Sequence, residues 1–228
     1  MIPMLGSALV IAPFSSIAGW RIIRFWKKTL LAIFGVQVSI SYEQSPSQFD
    51  QGGIMLGLNQ QSLLDPTIAY SAWDRPVMSI WNIEYALIPF FGWISFVLGW
   101  VIVRQHQGQS KRQLQKAAEY ARNGGLVFIS AEGQRSTDGH LNPYKKGPVV
   151  LAIESQSLIH PMYMTGSRNC MPVGAWKIKP GKVHLHCLSP ISTNGLTYED
   201  RNDLLKKIRD LGEREQHNWR TQLEDQMP

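Results

Sequence analysis

A chain of 228 residues of which 44% are apolar can bury one sizeable core, and a single large α/β domain is the default reading. Its formal charge of +6 favours an acidic partner such as anionic lipid or a phosphorylated small molecule, and eight tryptophans tilt that choice toward a membrane interface. No recognition motif or dense Lys/Arg stripe appears, so nucleic acid is set aside, and Cys170 and Cys187 lack metal or redox spacing and read as reduced structural thiols in a cytoplasmic setting. The first twenty residues are uncharged, but Pro3, Gly6 and Pro13 interrupt them and no basic segment precedes them, which argues against a removable signal.

In chain order, residues 17–35 interleave Arg21, Arg24, Lys27 and Lys28 with Trp20, Phe25, Trp26 and aliphatics. Arg21, Arg24 and Lys28 recur at helical spacing, which predicts a basic helix lying at headgroup level with its aromatics in the acyl boundary; an ordinary surface helix is the plainer alternative. Val36 to Tyr42 alternates like a strand and runs into a polar turn from Glu43 to Gly53. Ile54, Met55, Leu56 and Leu58 suit a buried strand, and Thr67 to Trp73 suits a helix. Between them Pro66 fits the first helical position, making Asp65 the expected N-cap, with Ser62 a second candidate.

Val77 to Trp81 reads as the next strand. No charge interrupts Ala86 to Val103, which only just reaches spanning length, and Pro89, Gly92 and Gly99 break it into a buried or bilayer-facing element ending in Val101-Ile102-Val103-Arg104. Ser110 to Asn123 has a helical stripe of Leu114, Ala117, Ala118 and Ala121 with Ser110 as cap and Gly124-Gly125 as stop. Leu126 to Ser130 is a buried strand that delivers the chain into Ala131-Glu132-Gly133-Gln134-Arg135-Ser136, where a glycine lets the backbone turn tightly and an arginine offers a planar fork of donors to phosphate. A helix from Val149 to Glu154, a strand from His160, and an alternating strand from Lys182 to Leu188 follow. His184 and His186 share one face of the last, but no carboxylate or thiolate stands at a supporting spacing, so no metal site is expected. The tail, Tyr198 to His217, is a charged helix with Leu204, Leu205, Ile208 and Leu211 as its buried stripe. Strands alternating with helices imply an α/β fold.

Four of these segments resemble, in order and at similar separations, the motifs of the glycerolipid acyltransferases of the lysophosphatidate acyltransferase type. Asn59-Gln60-Gln61-Ser62-Leu63-Leu64-Asp65-Pro66 resembles the first motif, Asn-His-x-x-x-x-Asp, with Gln60 at the histidine. Arg104 resembles the arginine of the second, Glu132-Gly133-Gln134-Arg135-Ser136 the third with Gln134 in place of threonine, and the strand around Pro161 the fourth. Pro143-Tyr144-Lys145-Lys146-Gly147 is similar to the family's Pro-Phe-Lys-x-Gly phrase.

The resemblance spans roughly residues 17–215 and implies a mixed, largely parallel sheet flanked by helices. It divides the chain into an N-terminal membrane-docking helical segment, 1–36, in which a short span remains open, and an acyltransferase domain, 37–228. It further implies acyl transfer from acyl-CoA or acyl carrier protein, as co-substrate rather than cofactor, to a lysophospholipid, foremost lysophosphatidate, on the cytoplasmic face of an anionic membrane. By the same resemblance Gln60 and Asp65 hold the catalytic positions, Arg104, Glu132, Gly133, Arg135 and Lys145 face the substrate phosphate, with Glu132 orienting the Arg135 fork, and Pro161 lies on the acyl-donor side.

Gln60 is the departure that matters. A glutamine can accept a hydrogen bond from a hydroxyl and donate its amide to Asp65, but it cannot take the proton. Loss of general-base help typically costs about 10²- to 10⁴-fold in rate. An inactivating change, a lipid-binding relative without turnover, and a site with another base therefore stay open, as does a basic interfacial scaffold protein. His106 and His140 lie near the motifs, though no spacing rule brings either to Gln60.

Overall fold

The computed structural model describes residues 16–71, 73, 75–81, 101–103 and 107–224. Strands β1 (Val36–Tyr42), β2 (Gly53–Gly57), β3 (Val77–Trp81), β4 (Val101–Val103), β5 (Leu126–Ser130), β6 (Leu158–Thr165), β7 (Gly181–Cys187) and β8 (Ile191–Ser192) form one sheet in the order β1-β7-β6-β2-β5-β3-β4, with β8 beside β6. Pairing is parallel except where β6 meets β7 and β8. The expectation of a mixed, largely parallel sheet is met.

Alternation sorts the two faces. On β2, Ile54 and Leu56 join Val127, Ile129, Ile159 and Tyr163 beneath helices α3 (Gln107–Arg122), α4 (Lys146–Ser155) and α6 (Arg201–Glu224). Met55 faces the other way, with Phe128, Met162, Met164 and Leu185, against α1 (Ser16–Ile33) and α2 (Leu64–Ser71). Because both faces of the central strands are covered, β2 and β5 are buried at every residue rather than alternating between core and solvent.

Helix α1 differs from its expectation on one side. Trp20, Lys27 and Leu31, spaced seven and four apart, form its inner stripe, so the ring of Trp20 packs edge-on against Tyr70 and its Nε1–H donates to Trp73 O at 3.2 Å. Lys27 is buried, its Nζ 3.8 Å from the Tyr70 ring centroid, and burial pulls its value down to about 7. Arg21, Phe25 and Lys28 stay exposed. No described helix is long and apolar enough to cross a membrane. Most of the apolar element before Arg104, Arg104 itself, His106 and residues 1–15 lie outside the described residues.

Topology positions the site. From β2 the chain crosses through α2 to β3, beyond β5, whereas from β5 it crosses through α4 to β6, on the other side of β2. The loops leaving β2, β5 and β6 therefore gather at one edge, at the crevice where open α/β sheets bind ligands.

Candidate active site

The loop after β2 is held by its neighbours' backbones. Leu58 N–H donates to Met162 O at 2.8 Å, and Ala131 N–H donates to Gly57 O at 2.9 Å. Where β2 ends, the side chain of Asn59 continues the ladder: its Nδ2 donates to Met164 O at 2.6 Å and its Oδ1 accepts Met164 N–H at 2.9 Å. Pro161 is buried in β6 opposite Leu56, and its C=O accepts Leu188 N–H where pairing passes from β7 to β8, a break in the ladder that tolerates a missing donor.

The cap of α2 is Ser62, not Asp65. Ser62 Oγ accepts Leu64 N–H at 3.1 Å, and Asp65, three residues on, returns Oδ2 to Ser62 N–H at 2.9 Å, so side chain and backbone cap one another. The same oxygen accepts Gln61 N–H at 2.7 Å, and Ser62 Oγ donates to Met171 O at 2.8 Å. Pro66 accordingly falls inside the first turn.

Glu132, fully buried, braces this loop from β5. Its Oε1 accepts Gln60 N–H at 3.0 Å, and its Oε2 accepts both the N–H and the side-chain amide of Asn142, at 3.0 and 2.6 Å. None of its bonds runs to Arg135. Burial pushes its carboxyl up to about 7 against those three bonds. Gly133 turns the chain at φ +73°, and Ser136 N–H then donates to Gln60 O at 2.7 Å. Tyr144 closes the far side, its hydroxyl donating to Leu58 O at 2.6 Å, while exposed Lys145 precedes α4 and donates its N–H to Ala131 O.

What the site leaves unpaired defines it. Gln60 Oε1, Asp65 Oδ1 and Ser167 Oγ are all buried and without a hydrogen bond. The amide-to-carboxylate bond that Gln60 permits on paper is thus not made to Asp65 Oδ1. Burial pushes Asp65 up to about 6, and it is drawn back by nearby Ser167, by the two N–H donors and by the charge of Arg135; the Ser167 hydroxyl faces Asp65 without reaching bonding geometry. Half-buried Arg135 makes no hydrogen bond or ion pair among the described residues.

Comparison with known proteins bears directly on this arrangement. The profile of the Acyltransferase family matches residues 38–165, which contain the whole loop and the Glu132 turn. This chain belongs to the Acyltransferase family. A 1-acyl-sn-glycerol-3-phosphate acyltransferase of Helicobacter pylori is 30% identical over 167 residues, covering 70% of this chain and 69% of that one. The enzyme of the same name from Limnanthes alba is 39% identical over 85 residues, covering 37% of this chain and 30% of that one. The matched stretch spans about a third of the length of such plant relatives. The crystal structure of the 1-acyl-sn-glycerophosphate acyltransferase PlsC of Thermotoga maritima has the same fold, with a TM-score of 0.73 at 22% identity over 93% of this chain and 88% of that one.

Within this member of the family, Gln60, Asp65, Glu132, Gly133 and Arg135 lie on the loops that leave β2 and β5 at one edge of the sheet, whereas Arg104 lies outside the described residues. No three His, Cys, Asp or Glu side chains among the described residues form a metal-binding group. His184 bonds Ser39 and Ser41, and His186 bonds the buried Glu215, a polar seam under α6. His140 takes a contact from Arg220 at the surface, and His160 is bonded to Gly52 O in the core. Reading the sequence missed Ser167, Asn142 and the brace by Glu132, since each depends on chain crossings that local pattern does not carry; the polar Asn142 before Pro143 was the one visible signal.

Proposed function

We propose that this chain transfers an acyl group from coenzyme A or acyl carrier protein to the hydroxyl of a lysophospholipid, with lysophosphatidate as acceptor and phosphatidate as product. The observation that carries the reading is the pair of buried, unpaired oxygens, Gln60 Oε1 and Asp65 Oδ1, within the stretch that the family's profile matches, near a half-buried Arg135 that makes no hydrogen bond or ion pair among the described residues. The printed names of the relatives supply the acceptor.

In this reading Gln60 Oε1 accepts the hydrogen of the acceptor hydroxyl and fixes its direction. The hydroxyl oxygen attacks the thioester carbonyl, the C–O bond forms, the C–S bond breaks, and the proton goes to the departing thiol or to water. Arg135, Lys145 and Arg104 attract the acceptor phosphate, with Gly133 shaping the turn and Glu132 holding it. Pro161 stiffens the strand on the donor side. The exposed Arg21, Phe25 and Lys28 of α1 meet an anionic membrane on its cytoplasmic face. Asp65, with one oxygen committed to two N–H groups, keeps the other free for the Nδ1–H of a histidine. Gln60 leaves that oxygen unused, which favours a second reading: a lysolipid-binding protein without turnover.

Thiol release from long-chain acyl-CoA with lysophosphatidate, compared between the chain as it stands and Gln60→His, decides between them. Turnover by the histidine variant alone supports the acyltransferase architecture and marks Gln60 as its block. Comparable turnover by both refutes the role assigned to position 60. Failure of both, with saturable lysolipid binding, supports the second reading.

A further inference from the structure

Residues 171–180 join α5 (Ser167–Cys170) to β7. Because β6 is parallel to β2 and antiparallel to β7, and β1 is parallel to β7, the end of β6 and the starts of β7 and β1 all lie at the edge where β2 delivers Gln60. The connection is tied down at both ends: Met171 O accepts the Ser62 hydroxyl, Lys179 N–H donates to Cys170 O at 2.8 Å, and Gly181 N–H donates to Gly35 O at 3.2 Å. Pro180 sits close against Gly35, where a Cβ would come within 3.0 Å of its ring. The loop and the C-terminal end of α1 are therefore neighbours.

That edge is dressed unusually. Trp176 is 82% exposed, with Lys177 Nζ 4.4 Å from its ring centroid, and Lys179 is exposed two residues on. Next door, Ile33 is 70% and Phe34 38% exposed. An indole standing in water gains nothing for the fold, so its position calls for an external apolar phase. The charge identifies that phase. No Asp or Glu occurs before Glu43, and none occurs from Ser155 to Tyr198, so both neighbouring elements carry cations only. Lysines flanking a tryptophan fit phosphates above an acyl boundary.

We propose that the 171–180 loop is a second membrane-contact element, separate from α1, in which Trp176 seats at headgroup level of an anionic bilayer with Lys177 and Lys179 on lipid phosphates. It rests on the reading that the acceptor is a membrane lipid, and it adds the reason the acceptor reaches the crevice: the loop that touches lipid also holds Ser62, the cap of the helix bearing Asp65. Membrane contact is thereby made one hydrogen bond away from the site.

The test is an environment-sensitive nitrobenzoxadiazole label on Trp176→Cys in the full chain, Cys170 and Cys187 being buried. Vesicles of phosphatidylcholine alone are compared with vesicles containing phosphatidylglycerol. Label on Tyr198→Cys, also exposed but beside the start of β6 at the opposite edge through Gln156 and Leu196, is the reference. The expected result is a blue shift at 176 and none at 198, seen only with the anionic lipid. Lys177→Gln and Lys179→Gln each lower vesicle affinity by about fivefold, an effect that fades with salt. A protein that sediments with anionic vesicles while its 176 label stays water-like overturns the proposal, as does unchanged affinity in the double glutamine variant or absence of vesicle binding altogether. None of these readouts needs turnover, so a failed thiol-release assay leaves them intact.

Discussion

Replacing Asp65 by asparagine should make the protein more stable while removing the carboxylate assigned to the proposed chemistry. Burial pushes its carboxyl from the ordinary 3.8 up to about 6 in the fold. A carboxyl whose value is raised by folding contributes stability that is complete below the unfolded value and is lost as pH rises through the folded one. A rise from 3.8 to about 6 is worth ~3 kcal/mol, so near neutrality the ionised carboxylate weighs against the fold by about that much. Asparagine stays neutral. Its carbonyl can take the place of Oδ2 and keep the N–H donors of Gln61 and Ser62, and its amide then replaces the unpaired Oδ1, facing the unpaired hydroxyl of Ser167. The expected gain is about 2 kcal/mol at about pH 7.5, shrinking toward zero at about pH 4, which for a chain of this size raises Tm by roughly 6 °C at the higher pH. Urea unfolding at the two pH values checks it. A loss of stability at neutral pH, or a gain that is the same at both, would show that the buried carboxylate is not strained. In a Gln60→His background the same change should abolish thiol release, because the imidazole loses the acceptor that orients it.

Glu132→Gln should behave in the opposite way. Both oxygens of Glu132 are occupied, by Gln60 N–H on one side and by two donors of Asn142 on the other, so an amide nitrogen at either place faces a donor. The variant should lose about 1–2 kcal/mol in urea unfolding although it removes a buried charge, and an increase in stability would mean that the brace is dispensable. Asn59→Ala strips Met164 of partners for its N–H and its C=O inside the sheet, which should cost about 3 kcal/mol by the same measurement. A loss below about 1 kcal/mol would show that water replaces the amide.

Where structure follows from a short window, the sequence was readable. β1, β3 and β5 have the bounds that alternation or a short apolar run between turn residues predicts, and strands alternating with helices announce the α/β class, while the largely parallel pairing was implied by the family resemblance. Caps were less legible. Asp65-Pro66 and Ser62-Leu63-Leu64-Asp65 are each acceptable helix openings, and the second is the one formed, with Ser62 Oγ also engaged by Met171, 109 residues away. α3 likewise starts at Gln107, ahead of the Ser110 expected as its cap. Lys27 read as one more interfacial cation, yet the ring of Tyr70, brought by α2, gives it a buried seat that no pattern within α1 announces. Glu132 was matched to phosphate chemistry by its motif, and its actual bonds are to the loop that carries Gln60, which only the adjacency of β2 and β5 creates.

The way position 60 is held explains why one residue can change there without disturbing the rest. Its N–H goes to Glu132 and its C=O takes Ser136 N–H, both through the main chain, while its side-chain oxygen bonds to nothing. On either side, Asn59 is locked to Met164 and Gln61 N–H to Asp65. The loop's path is thus set by backbone groups and flanking side chains, and the identity of the side chain at 60 carries no share of it. A histidine placed there inherits the same φ and ψ, the same brace, and an unpaired carboxylate oxygen in Asp65. The reverse holds for the residues around it: altering Asn59 or Glu132 moves the loop whether position 60 is glutamine or histidine. Chemistry and scaffold are separable at this one position, so Gln60→His should leave the loop's path as it is and the unfolding midpoint no lower, whichever way the thiol-release assay falls.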